Sequence, residues 1–106
     1  MVKQVTAKEM YERSDLERLI PGDIVQVNKG WSAPQIAVYN SRPDEHTFEF
    51  IWPRSYGEGI VGLRVANPSF NNGVIIIEPH LNIIPYLPDD SKYKAMESLL
   101  QQAGLI

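Results

Sequence analysis

Residues 51–62 read IWPRSYGEGIVG, which sets Trp52, Arg54, Tyr56 and Glu58 among three glycines. In an extended chain alternate side chains point the same way, so all four share one face. Trp and Tyr bring large contact area at low entropic cost. Arg brings a planar fork that stacks or pairs. The chemistry that suits this set is recognition of another molecule. Trp31, in NKGWSAP, adds an aromatic in an earlier turn. A plainer reading stands beside this one. Trp52 also continues the face begun by Phe48 and Phe50, which makes it core. Arg54 and Glu58 can pair across a solvated loop, a contact worth about 0–1 kcal/mol.

Signals for catalysis are weaker. His46 lies in the polar turn RPDEHT beside Asp44 and Glu45. Adjacent turn residues rarely converge on one point, so a solvated turn is expected. His80 follows Glu78-Pro79 and reads as a structural histidine. No HExxH or other compact ligand spacing is present, so no metal site is expected. Ser55 lacks the strand–Ser–helix order of a nucleophile elbow. GEGIVG lacks the GK[ST] ending of a phosphate loop and runs into a strand pattern. There is no cysteine, which excludes disulfides, thiolate ligands and cysteine nucleophiles. No cofactor motif and no catalytic residue can be assigned. An enzyme would need a composite site from His46, His80, Glu49, Glu58 and Arg54, in a cleft that perturbs their protonation.

The 106 residues suit one domain, 1–106, with one modest core. The net charge of −3 gives no whole-chain basic signal for nucleic acid. MVKQVTAKEMYERSD lacks the apolar stretch of a signal peptide, and no apolar run approaches the ~20 residues that span a bilayer. A cytoplasmic protein without membrane attachment is expected.

The elements that must position these residues begin with a helical segment, 6–20. Thr6 with Glu9 and Ser14 with Glu17 both have capping-box spacing. They predict helices over Thr6–Arg13 and Asp15–Ile20, ended by Pro21-Gly22. Strand patterns follow in DIVQV, QIAVY, TFEFIW, IVGLRV, VIIIE and NIIPY. NKG, NSRPDEH and ANPSFNNG read as turns between them. TFEFIW alternates Phe48, Phe50 and Trp52 against Thr47, Glu49 and Ile51. The last segment, 91–103, carries Tyr93, Met96, Leu99, Leu100 and Ala103 at helical spacing. Gly104 stands at the C′ position of that helix, with Leu105 set to reach back to Leu100.

Short strands at even spacing predict a mainly β, α+β domain. It is a small SH3-like β barrel of five or six strands over 23–86, flanked by the helical segment and the C-terminal helix. LIPGDIVQV resembles the opening strand of such barrels. By analogy with that fold, the Trp31 turn should lie near the 54–58 loop. The expected function is a small non-catalytic module that binds a protein partner through Trp31, Trp52, Arg54, Tyr56 and Glu58. A free barrel edge would add main-chain pairing. A nucleic-acid-binding barrel is the alternative, with Lys29, Arg42, Arg54 and Arg64 along one side and aromatics for base stacking. The C-terminal helix is expected to close one barrel end or to contact a second copy, as in a homo-oligomer.

Overall fold

In the computed structural model, residues 6–28, 34–53, 60–77 and 82–106 are described. The first helix, α1, covers Arg13–Glu17. Seven strands follow: β1 Ile24–Asn28, β2 Gln35–Asp44, β3 Thr47–Pro53, β4 Ile60–Ala66, β5 Ser69–Asn71, β6 Val74–Ile76 and β7 Asn82–Tyr86. Helix α2 covers Tyr93–Gln102. The strands form one mixed sheet in the order β5-β6-β1-β2-β3-β4-β7. Every pairing is antiparallel except that of β1 with β6.

The α+β class holds, but the sheet does not close into a barrel. Both edges discourage closure. β5 has three residues. β7 contains Pro85, which has no N–H to give to a further strand. β5 lies within ANPSFNNG, whose sequence predicts a turn and not a strand. Asn72 and Gly73 both have positive φ, 53° and 81°, and they join Asn71 to its partner Val74. A two-residue Asn-Gly turn of this kind matches the twist of a hairpin.

The alternation in β3 divides the core. Phe48 and Phe50 belong to a cluster with Val25, Val27, Ala37, Tyr39, Leu63, Val65, Ile75 and Ile77, capped by Met10, Leu16 and Leu19. Ile51 belongs to a second cluster with Val38, Ile60 and Tyr86, against which α2 lays Met96, Leu100 and Ala103. Full burial of each large apolar side chain contributes roughly 1.5–3 kcal/mol, so each cluster is a substantial fraction of the fold's stability.

Helix α2 ends as its sequence predicts. Gly104 has φ 79° and donates its N–H to Gln101, while the Leu105 N–H reaches Leu100. Those two bonds make a Schellman end.

The N-terminal helical expectation fails over Thr6–Glu12. There Lys8 forms an isolated parallel bridge with Val25 and donates to the Ile24 carbonyl. Met10 donates to Gly73 and buries its side chain. A single short helix is marginal in isolation, and the sheet offers these backbone groups better partners. Only Arg13–Glu17 turns helical. Its start is held by the Asp15 carboxylate, which accepts the N–H groups of Tyr11 and Glu12 at 2.9 and 3.1 Å. Those two bonds hold the Asp15 pKa below its ordinary value.

Helix α1 is clasped to the β2–β3 turn. The Arg42 guanidinium lies 4.8 Å from the Phe48 ring centroid and Arg13 lies 5.8 Å from it. Both arginines donate to the Glu45 carbonyl, and Arg13 pairs with Glu17.

Candidate functional site

The polar group that the fold treats most unusually is Glu49. It is the one buried charged residue among the described residues, with 4% of its surface exposed. Alternation along β3 puts it on the α2 face, and it stands opposite Arg64 of β4 and Ser41 of β2.

Four donors converge on its carboxylate. The Arg64 Nε and Tyr86 Oη reach Oε1 at 3.2 and 3.1 Å. The Asn40 amide and Ser41 hydroxyl reach Oε2 at 2.6 and 3.2 Å. Two features of the backbone allow this. The β2–β3 register shifts between Tyr39 and Ser41, a bulge that turns two consecutive side chains, Asn40 and Ser41, toward one carboxylate. Gly62 on β4 clears the path for the Tyr86 ring to reach from β7 across to β3. A Cβ at position 62 would stand 2.7 Å from the ring.

The chemistry follows from saturation. A carboxylate has about four lone-pair sites, and here four donors occupy them. That arrangement leaves the carboxylate no unoccupied site from which to take a substrate proton. Glu49 therefore reads as a structural and orienting group rather than a general base. Its charge also acts on its neighbour. Burial first, and then the Glu49 charge, push the Tyr86 phenol up to about 12.

The other candidate residues fall in several places. Trp52 is partly buried and packs against the Phe48–Phe50 cluster, so it is both core and rim. Trp31, Arg54, Tyr56, Glu58 and His80 lie outside the described residues, as does Lys29. The described ends of their connections are informative. The strand directions bring Asn28, Gln35, Pro53 and Ile60 to the same end of the sheet. The register Val38↔Ile51 sets the last residues of β3 beside the first of β2. Gln35, which follows connection 29–33, and Pro53, which precedes connection 54–59, lie on adjacent strands at one end of the sheet, although no barrel forms.

His46 lies in the exposed β2–β3 turn. Its N–H bonds to Asp44 at 2.8 Å, and Thr47 donates to the same carboxylate at 3.1 Å. These bonds hold the Asp44 pKa below its ordinary value. His46 and Glu49, the two described residues of the composite catalytic set, share no hydrogen bond, and His80, Glu58 and Arg54 lie outside the described residues. Nor do the described residues hold a group of three or more His, Asp or Glu arranged to bind a metal ion. The basic stripe divides as well. Arg42 stacks on Phe48 on one sheet face, while Arg64 bonds Glu49 on the other. No described helix is long and apolar enough to cross a membrane.

Sequence reasoning named Glu49 as one member of a diffuse set and passed over Asn40, Ser41 and Tyr86. The signal available was a Glu at an inward-facing position of an alternating strand, since a buried carboxylate must find donors. Comparison of the chain with protein-family models, with curated proteins and with solved structures yields no match.

Proposed function

We propose that this chain is a small non-catalytic binding module that recognises a protein partner through the sheet end bearing the connections 29–33 and 54–59. Trp31, Arg54, Tyr56 and Glu58 supply the contacts together with the partly buried Trp52. The observation that supports this reading is that the described ends of both connections, Asn28, Gln35, Pro53 and Ile60, lie at one end of the sheet, the end that bears Trp52. Aromatic residues and arginine are the residue types of which binding hot spots are made. Recognition is by side chains rather than by strand addition. Pro85 removes a donor from one sheet edge, and β5 offers three residues at the other.

The test is affinity capture with wild-type protein, with Trp31→Ala and with the Arg54→Ala/Tyr56→Ala pair, each with and without nuclease, followed by direct binding of the captured species. Far-ultraviolet circular dichroism verifies that each variant folds. The expected outcome is a defined protein bound by wild type and lost in both folded variants. Undiminished binding in both variants defeats the reading. Capture that vanishes with nuclease moves the partner to nucleic acid.

A further inference from the structure

The first half of β1 has a neighbouring strand on one side only. β2 runs beside residues 24–27, whereas β6 meets β1 at Val27 and Asn28. Lys8 takes the place that β6 leaves beside Val25. It forms an isolated parallel bridge there and donates its N–H to the Ile24 carbonyl at 2.8 Å. Two residues on, the Met10 N–H reaches the Gly73 carbonyl at 2.9 Å, in the turn that leads into β6. Residues 6–10 are thus a strap that completes the sheet beside β1.

The strap is lightly held. Met10 is its one buried residue, while Thr6, Lys8 and Glu9 are exposed. The Lys8–Asp23 ion pair, at 3.0 Å, leaves 57% of the Lys8 side chain exposed, and pairs of that kind add little. A cavity of about 320 Å³ undercuts the strap, with Lys8, Glu9 and Met10 on one wall and Asp15, Arg18 and Leu19 on the other. Fixing the backbone of an extended segment opposes closure. Just beyond Met10 the chain is anchored again. Asp15 accepts the N–H groups of Tyr11 and Glu12, and Leu16 is buried in the core. Opening can therefore end at Met10 and leave α1 in place.

The strap itself shows what its seat accepts. Opening bares the Ile24 and Gly73 carbonyls, the Asp23 carboxylate and the slot that Met10 fills in the first core cluster. These groups suit an extended peptide with a cationic side chain and, two residues later, a long apolar one.

We propose that residues 6–10 open as a unit on the folded domain and give way to such a peptide, a segment of a partner protein that takes over the edge of β1. The strap is the resident competitor. The partner's apparent affinity scales with the fraction of molecules in which the strap is open. The seat lies at the start of β1, the opposite end of the sheet from connections 29–33 and 54–59, and does not depend on them.

The experiment uses the full chain, as wild type and as Lys8→Pro. Proline removes the N–H that bonds Ile24, and the ion pair to Asp23 goes with the lysine. Native-state hydrogen exchange comes first. The Lys8 and Met10 amides of wild type are expected to exchange at least about a hundredfold faster than those of β3 and β4, at rates insensitive to low denaturant. Each protein is then titrated with Ac-Thr-Ala-Lys-Glu-Met-Tyr-NH2, a copy of residues 6–11, and followed by NMR at the Val25 and Ile75 amides. Lys8→Pro is expected to bind this peptide about tenfold more tightly than wild type. Peptides with Glu in place of Lys, or Ser in place of Met, are expected to bind several-fold more weakly.

Exchange of Lys8 and Met10 at the rate of β3 and β4 overturns the proposal, because the strap then opens only with the whole fold. A Lys8→Pro variant that circular dichroism shows to be unfolded overturns it for the same reason. So does a lack of saturable shifts in Lys8→Pro, or equal peptide affinity in the two proteins. Equal binding of the altered peptides overturns the assignment of the basic and apolar side chains.

Discussion

Gly62→Ala should be unusually costly for a substitution that adds one methyl to a strand. The added Cβ would stand 2.7 Å from Tyr86 Cε2, 3.3 Å from its Oη and 3.4 Å from its Cζ. Ordinary carbon–carbon contact is about 3.5–4.0 Å, so the ring must move by roughly 1 Å. The Tyr86–Glu49 bond, at 3.1 Å, does not survive such a shift. Three terms then compete. Forced repacking costs typically about 1–3 kcal/mol. Loss of a hydrogen bond to a buried charge costs about 1.5–3 kcal/mol. Replacing glycine in a strand returns about 0.5–1 kcal/mol. The net expectation is a loss of about 2–4 kcal/mol, the repacking and bond losses overlapping because one ring movement causes both.

Chemical denaturation with an unchanged slope should report that loss as a lower midpoint. In a domain of this size it corresponds to a fall in Tm of very roughly 8–16 °C. The decisive control is the Tyr86→Ala background, where no ring is present to strike. There Gly62→Ala should be neutral or mildly stabilising. A loss below about 0.5 kcal/mol in the wild-type background, or the same loss in both backgrounds, would refute the account of Gly62 as the passage for the Tyr86 ring.

Tyr86 also predicts a pH dependence at the alkaline end. Its folded pKa of about 12 lies above the ordinary 10.0, so the folded state holds the phenol proton more tightly than the unfolded chain. That contribution is complete below pH 10 and is lost as pH rises from 10 toward 12. Stability measured across that window should fall less steeply in Tyr86→Phe than in wild type, and an identical slope would count against a buried Tyr86–Glu49 contact. Trp52→Ala should cost about 2–3 kcal/mol by denaturant unfolding, below the roughly 3–5 kcal/mol of a fully buried Trp, because its ring is only partly enclosed. An unchanged midpoint would place Trp52 wholly on the surface.

Much of the local structure was legible in the residues themselves. The alternation Thr47–Trp52 assigned Phe48 and Phe50 to one face and Glu49 and Ile51 to the other, and each face meets its own core cluster. The end of α2 was legible because Gly104 accepts a positive φ without strain. These features depend on groups within a few residues of one another, so local spacing determines them. The Thr6–Glu12 stretch shows where that rule stops. Its capping-box spacing is local, but its hydrogen-bond partners, Ile24 and Gly73, are distant in the chain, and they prevail.

The Glu49 site belongs to the tertiary structure. Its donors come from β2, β4 and β7, brought together by a bulge, by strand register and by the missing side chain of Gly62. None of those three has a distinctive local pattern around Glu49. The open sheet was decided in the same way, because closure depends on whether β5 and β7 can pair, not on the count or spacing of strands. The sequence alone determined many of the inside residues, Met10, Leu16, Leu19, Phe48 and Phe50 among them, through the period of a strand or a helix, although Ile20, expected to face the core, is 64% exposed. The tertiary structure decided what a buried carboxylate would meet there, since desolvation forces it to find partners wherever the fold brings them.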